Sequence, residues 1–112
     1  MKDPAYRLNF AYKEIRKLSK MLDDAGITHR LVRRFDGWQI GYPVLPLEGD
    51  YVCSVIQNRI SYGSEDDLLE IRGLLTDEEA ACDSVAGYLT AEDVFGRIKT
   101  HWEANKSVAG LE

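Results

Sequence analysis

The sequence has few of the residues and segments that mark secreted, membrane-spanning or metal-binding proteins. Its 112 residues include only two cysteines, Cys53 and Cys82, which form no Cys-x-x-Cys pair. Two such isolated cysteines are most simply reduced thiols. The N-terminus lacks the apolar core of a signal peptide, and no segment approaches the ~18 apolar residues of a transmembrane helix. We therefore expect a cytoplasmic protein with no membrane partner, no cofactor and no metal.

Length and composition indicate one globular domain. A chain of 112 residues is the size of an ordinary domain, and folding at this size buries about two-thirds of the surface of the unfolded chain. Apolar residues make up 45% of the chain and aromatic residues 10%, as in folded proteins. We predict a single α+β domain over residues 1–112, with frayed ends at 1–4 and 106–112.

The net charge of −5 conceals a division along the chain. Residues 1–34 contain nine of the fourteen lysines and arginines against four acids, a balance of +5. Residues 35–112 contain five basic and fifteen acidic residues, a balance of −10. Such asymmetry bears on association with partners rather than on fold.

The N-terminal segment has the pattern of an amphipathic helix. Apolar residues recur at helical spacing on one stripe, and either Asp3-Pro4 or Asn9 is placed to start the helix. Gly26 suits the left-handed residue that ends a helix, with Ile27 as the apolar contact after it. The stripe consists of Ala11, Ile15, Leu18, Leu22 and Ala25.

A β-hairpin is predicted next. Residues 28–35 are rich in strand formers, and apolar and polar residues alternate over 38–42. Asp36-Gly37 lies between these runs and is typical of a type I′ turn, which would give Gly37 a positive φ. Prolines make 42–50 a loop, and 51–57 is apolar on both faces, as in a central strand.

Residues 64–75 fit two structures. Ser64 and Asp67 could form the capping box of a short helix, whereas residues 69–73 alternate as a fourth strand. The strand is favoured because Gly73 and the short length weaken the helix. The acidic segment 76–84 is then a loop or a single helical turn.

A C-terminal helix follows, with Thr90 as its N-cap and Leu89 and Val94 placed for a hydrophobic staple. Gly96 lies inside it, which a close backbone contact with the sheet would explain. Its apolar stripe ends at Trp102, which we expect to be largely buried. The order α-β-β-β-(β)-α predicts an antiparallel meander of three to four strands with both helices on one face.

The residue types of metal and catalytic sites are present without the spacing that such sites need. The histidines and cysteines are unpaired in sequence, which disfavours zinc. A cysteine nucleophile needs an electropositive setting, whereas Cys53 lies among apolar residues and Cys82 beside Asp83. The carboxylate runs at 65–67 and 77–79 lack calcium-loop spacing and are interpreted as solvated charge. No catalytic residue is therefore assigned.

The candidate binding residues are Arg30, Arg33, Arg34 and Trp38. In strand geometry Arg30 and Arg34 share a face and Arg33 points the other way. Arginines beside aromatic residues can bind nucleic acid or a protein partner. The simpler interpretation is a basic helix face together with edge-strand charges that deter aggregation. No glycine-rich phosphate loop or RNA-binding aromatic motif accompanies them.

The sequence contains the segments 53–56 (CSVI), 62–63 (YG), 68–71 (LLEI) and 87–95 (GYLTAEDVF), followed by Trp102. In this order they resemble small uncharacterised proteins encoded in prophages and mobile elements of gut Firmicutes. The resemblance runs from about residue 12 to about residue 105 and includes no catalytic motif. It implies a bacterial cytoplasm and an accessory role, and it assigns no site residue.

From these observations we expect a non-enzymatic accessory protein of phage or mobile-element origin that binds a host or phage macromolecule, most simply a protein. The first alternative is a nucleic-acid-binding domain that uses the basic N-terminal third. The second is a small enzyme that uses a cysteine or a histidine.

Overall fold

The computed structural model describes residues 12–110 of the chain, with side chains through Asn105. This part forms three α-helices, five β-strands and one 3-10 turn. The helices are α1 (Lys13–Asp24), α2 (Asp77–Cys82) and α3 (Ala91–Gly110), and the 3-10 turn is Ser64–Asp66. The strands are β1 (Arg30–Arg34), β2 (Gly37–Tyr42), β3 (Cys53–Gln57), β4 (Leu69–Arg72) and β5 (Ala86–Leu89).

The five strands form one antiparallel sheet in the order β1-β2-β3-β4-β5, so neighbours in sequence are neighbours in space. Helices α1 and α3 contact each other and cover one face of this sheet. The α+β meander predicted from the sequence is therefore confirmed, and β5 extends it by a strand. The buried side chains between the layers include Ile15, Leu18, Leu22, Ile40, Tyr42, Val55, Leu69, Ile71, Val94 and Ile98.

Strand β5 escaped prediction because its pattern is short and irregular. It has four residues, and one of them, Tyr88, has a left-handed backbone with φ 60°. It pairs with β4 through a register shift between Leu69 and Ile71. A strand of this kind is stabilised by its neighbour rather than by its own residue pattern.

The β1–β2 hairpin forms as predicted, but its turn lies one residue earlier. Arg34 pairs with Gly37, so Phe35 and Asp36 are the two turn residues. Phe35 has the positive φ, 58°, and Gly37 lies in strand β2 without one. The prediction of a positive φ at Gly37 is therefore wrong. A different constraint requires glycine there, since a Cβ at this position would lie 2.0 Å from the Gln57 carbonyl oxygen.

Helix α1 begins at a site that distant residues supply. The Asp67 Oδ1 atom accepts hydrogen bonds from the backbone N–H groups of Lys13 (2.9 Å) and Glu14 (3.2 Å), and Gln57 Oε1 accepts one from Ile15 (3.1 Å). These bonds satisfy donors that a helix start leaves without partners. The two N-cap candidates at 3–4 and at 9 lie outside the described residues.

The predicted end of α1 is confirmed. Gly26 has φ 70°, and the N–H of Ile27 bonds to the Leu22 carbonyl oxygen at 2.9 Å while Gly26 N–H bonds to Asp23. These are the paired bonds of a Schellman motif. Ile27 is buried next to the core, as its position after the helix predicts.

Residues 64–75 adopt the favoured strand, preceded by a 3-10 turn at the site where a capping box would have started a helix. Of the two alternatives for the acidic segment that follows, the structure has the helical one, and Thr76 and Glu79 form a capping box at the start of α2. Arg97 of α3 donates to both Glu79 carboxylate oxygens, at 2.7 and 2.9 Å. These hydrogen bonds lower the pKa of Glu79 from 4.5 to about 2 and tie α2 to α3.

Helix α3 starts as predicted and extends further. Thr90 Oγ1 accepts the N–H of Asp93 at 3.1 Å, and Leu89 and Val94 are both buried. The helix continues to Gly110, whereas the sequence predicts a frayed tail from 106. No glycine or proline interrupts residues 97–109, so the backbone has no local reason to stop.

One further expectation about α3 holds in part, and another is wrong. Trp102 is only partly buried, because it packs at the edge of the core rather than inside it. Gly96 makes no close contact, and a Cβ there would have nothing within 4 Å. No packing contact therefore requires glycine at position 96.

Candidate functional site

The four predicted binding residues lie on two different faces of the sheet. Arg33 and Trp38 are cross-strand partners on the helix-covered face, and the guanidinium of Arg33 lies 5.4 Å from the centre of the Trp38 ring. Arg30 and Arg34 lie on the opposite face, as the strand alternation predicts. The structure therefore divides the predicted set into two pairs.

Contacts within the chain engage the two arginines on the uncovered face. Arg30 forms an ion pair with Glu48 in the β2–β3 loop. Arg34 Nε donates to Gln39 Oε1 at 3.1 Å. A guanidinium that already has a partner must exchange that partner before it can bind phosphate, which lowers the gain from binding.

A different surface has more of the features of a binding site. Four large apolar or aromatic side chains are exposed at the end of the sheet where β1 turns into β2 and β3 leads to β4. We call this group the apolar rim. Its members and their exposed fractions are Phe35 (86%), Ile60 (83%), Tyr62 (54%) and Tyr88 (57%).

Contacts between the loops bring the members of the apolar rim to one end of the molecule. Asp36, next to Phe35, forms an ion pair with Arg59, next to Ile60, with 3.3 Å between Oδ2 and Nε. The Arg59 backbone N–H also donates to Asp36 Oδ1 at 3.3 Å. The β1–β2 turn is thereby fastened to the start of the β3–β4 connection.

The other half of the apolar rim is held by backbone contacts. The Tyr88 N–H donates to the Tyr62 carbonyl oxygen at 3.2 Å. A Cβ at Gly87 would lie 2.3 Å from the Tyr62 Cβ, so glycine permits this close approach. A hydrogen bond with Glu65 raises the pKa of the Tyr88 hydroxyl above its usual value. The rim therefore has an acidic neighbour on its Tyr88 side.

Two members of the apolar rim have strained backbone. Phe35 and Tyr88 have φ values of 58° and 60°, in the left-handed region that bulky residues avoid. Such strain costs about 1–3 kcal/mol per residue and is retained mostly at functional sites. Phe35 therefore buries little of its side chain within the fold, at a turn position that suits glycine or asparagine.

The sequence gives only a weak signal for this surface. Phe35 and Ile60 lie in turns, which is where an apolar residue is least expected to be buried. Exposure of Tyr62 and Tyr88 depends on β5, which the sequence pattern does not reveal. The apolar rim is thus a finding of the structure.

The cysteines and histidines lie in different settings, and Asp23 Oδ1 is 3.6 Å from His29 Nε2. Burial raises the pKa of the Cys53 thiol to about 12, while Cys82 is exposed on α2. His29 contacts the Ser19 hydroxyl and the Ile27 carbonyl oxygen, and His101 contacts the Tyr42 hydroxyl at 2.7 Å. Within residues 12–110 no three histidine, cysteine or acidic side chains gather in the geometry of a metal site.

The sequence matches no protein-family model, and comparisons with curated proteins and with solved structures found no similar protein. In the described part of the chain no helix has both the length and the apolar character needed to cross a bilayer. The fold and the apolar rim define this chain as a small α+β domain with two helices on one sheet face and an exposed apolar surface at one end.

Proposed function

We propose that this protein is a non-enzymatic accessory protein that binds another protein through the apolar rim. The observation that carries the proposal is Phe35, which is 86% exposed on a strained turn. The resemblance in sequence to small prophage and mobile-element proteins supports an accessory role, with a host or phage protein as the partner.

The composition of the rim favours a protein partner. Aromatic side chains concentrate binding energy in protein interfaces because they bury a large area and lose little rotamer entropy. Clustered exposed apolar side chains on a small soluble domain are uncommon and mark interaction sites. With Glu65 and Asp66 near Tyr88, the best complement is an apolar surface that has basic residues on that side.

The test of this function combines site-specific crosslinking with a matched control. A photoreactive phenylalanine analogue at position 35 should crosslink one protein in bacterial cells, and the same analogue at Leu47 should not. Leu47 is 87% exposed but lies in the β2–β3 loop, at the other end of the strands. With the purified crosslinked protein, the double variant Phe35→Ser/Ile60→Ser should bind at least tenfold more weakly, as loss of an interface anchor does.

Two results would overturn this function. One is equal binding by the double variant and by Leu47→Ser, provided that both unfold at the wild-type temperature. The other is crosslinking at position 35 only to a second copy of the chain, with concentration-dependent dimers in ultracentrifugation. That second result would make the rim a dimer interface rather than a site for another protein.

The nucleic-acid alternative predicts a result that we do not expect. Besides the engaged arginines, Lys17 of α1 is paired with Glu92, and Lys20 with Asp24. The acidic remainder of the domain repels a polyanion. We therefore expect no mobility shift with generic duplex DNA or RNA at about 150 mM salt. Binding that weakens steeply with salt and vanishes in the Arg30/Arg33/Arg34 triple alanine variant would put nucleic acid first.

A further inference from the structure

The sheet face opposite the helices has a trough that meets the apolar rim only at Ile60 and Tyr62. Two depressions, of about 230 and 370 Å³, lie side by side on it and share Ile56, Glu70 and Arg72 as lining residues. One is bounded by Pro46 and Tyr51 of the β2–β3 loop. The other is bounded by the segments 60–62 and 83–85. The trough runs from β2 to the segment before β5, which at the usual strand spacing is about 14 Å.

A directed chain of hydrogen bonds ends at one side of this trough. Arg34 Nε donates to Gln39 Oε1 at 3.1 Å, and Gln39 Nε2 donates to Ser54 Oγ at 3.0 Å. A guanidinium has only donors, so Gln39 must present its oxygen to Arg34 and its NH2 group to Ser54. Ser54 Oγ therefore accepts from Gln39, and its own proton is available to another acceptor.

That proton finds no acceptor in the part of the chain that the structure describes, although Ser54 is only 6% exposed and lines the trough. Ser54 Oγ already has one partner, because it accepts from Gln39 Nε2. Its proton can be donated to an acceptor atom of a ligand in the trough in place of water.

Arg72 stands beside Ser54 with a second set of donors. The two residues are direct cross-strand partners in the β3–β4 register, so their Cβ atoms lie about 5 Å apart on the same face. Among residues 12–105 no carboxylate lies within ion-pairing distance of Arg72, which is exposed. A hydroxyl donor and a guanidinium fork side by side match the oxygens of a carboxylate.

The rest of the trough has the opposite charge. Glu70 lines both depressions and Asp83 lines the second, and Arg72 is the one basic residue among the lining residues described. Glu70 Oε1 accepts the N–H of Tyr62 at 2.8 Å, which orients its carboxylate. An amine at this side would be attracted, whereas a dianion would be repelled.

We propose that the trough binds a small molecule with a carboxylate at one end and an amine at the other. The carboxylate accepts from Ser54 Oγ and Arg72, and the amine lies near Glu70 and Asp83. Ile56, the cross-strand partner of Glu70, supplies apolar surface to the floor of the trough. The ligand class is therefore an amino-carboxylate with an apolar spacer.

The test uses three probes of matched length, 5-aminopentanoate, pentanoate and pentylamine, with inorganic phosphate as a fourth. Binding to the wild-type protein is followed by ¹H–¹⁵N NMR at the Gln39 side-chain amide and the Ser54 and Arg72 backbone amides. We expect saturable shifts with 5-aminopentanoate, at least tenfold weaker binding of pentanoate, and no saturation with pentylamine or phosphate. Phosphate binding as strong as that of 5-aminopentanoate, or no saturable shift with any probe, would overturn the proposal.

Substitutions on the exposed face separate the two ends of the ligand. Arg72→Gln should weaken 5-aminopentanoate binding at least tenfold, and Arg16→Gln on α1 should leave it unchanged at the same net charge. Glu70→Gln should weaken 5-aminopentanoate but not pentanoate, because a glutamine oxygen still accepts from Tyr62. Equal effects of Arg72→Gln and Arg16→Gln would show unspecific charge attraction and reject the site.

Discussion

Replacement of Gly37 by valine should destabilise the domain by about 3 kcal/mol or more, at the upper end of overpacking effects. A Cβ at this position would lie 2.0 Å from the Gln57 carbonyl oxygen and 2.9 Å from the Asn58 Cα atom. Both are backbone atoms, so relief requires that strands β2 and β3 separate. Thermal unfolding followed by circular dichroism should show a midpoint lower by about 10 °C or more.

Gly96→Val is the matched control for this experiment. It introduces the same side chain into helix α3, where a Cβ has nothing within 4 Å. Since valine and glycine differ little in helix propensity, the midpoint should stay within a few degrees of wild type. Similar falls in both variants would show that the β2–β3 contact does not require glycine at position 37.

Replacement of Asp67 by alanine should cost about 2–4 kcal/mol, the combined scale of a lost helix cap and a lost buried hydrogen-bond acceptor. Asp67 Oδ1 accepts from two N–H groups of α1 and from Gln57 Nε2 at 2.7 Å. Gln57 is fully buried, so its donor would have no access to water. Urea unfolding should report the loss, and hydrogen exchange should accelerate at Lys13 and Glu14.

Two other substitutions at this position separate the hydrogen bonds from the backbone strain. Asp67 has φ 56°, which asparagine and glycine both tolerate. Asp67→Asn keeps an acceptor oxygen and should cost less than about 1 kcal/mol, because only the charge is removed. Asp67→Gly should lower the free energy of unfolding by most of the amount that Asp67→Ala does. If asparagine and alanine were equally destabilising, the hydrogen bonds would not be the cause.

The candidate binding residues show how far strand periodicity can be taken. Because side chains alternate along a strand, the sequence places Arg30 and Arg34 on one face and Arg33 on the other, and the structure confirms this. Strand periodicity does not predict which residues pair with these arginines. Glu48, in the β2–β3 loop, pairs with Arg30, and Gln39, in the neighbouring strand, accepts from Arg34. Those partners decide how available each charge is.

The apolar rim and the trough lay beyond sequence reasoning for a related reason. The exposure of a side chain depends on the residues around it. From the sequence alone, Phe35 is interpreted as a strand residue, because the exact position of the turn is not known. The hydrogen-bond chain from Arg34 through Gln39 to Ser54 crosses three strands, so its members come together only through the register of the sheet.

The sequence by itself determined the features that local physics controls. Helical stripes, the Schellman end at Gly26, the Thr90 cap and the hairpin all depend on residues a few positions apart, whose preferences act without the rest of the fold. The tertiary structure decided where α1 begins, where β5 lies and which surfaces remain open. Asp67 caps Lys13 across 54 positions, and Glu14 accepts the first N–H of α3 across 77. Contacts at such separations leave no periodic trace, because they are made only after the chain has closed around its core.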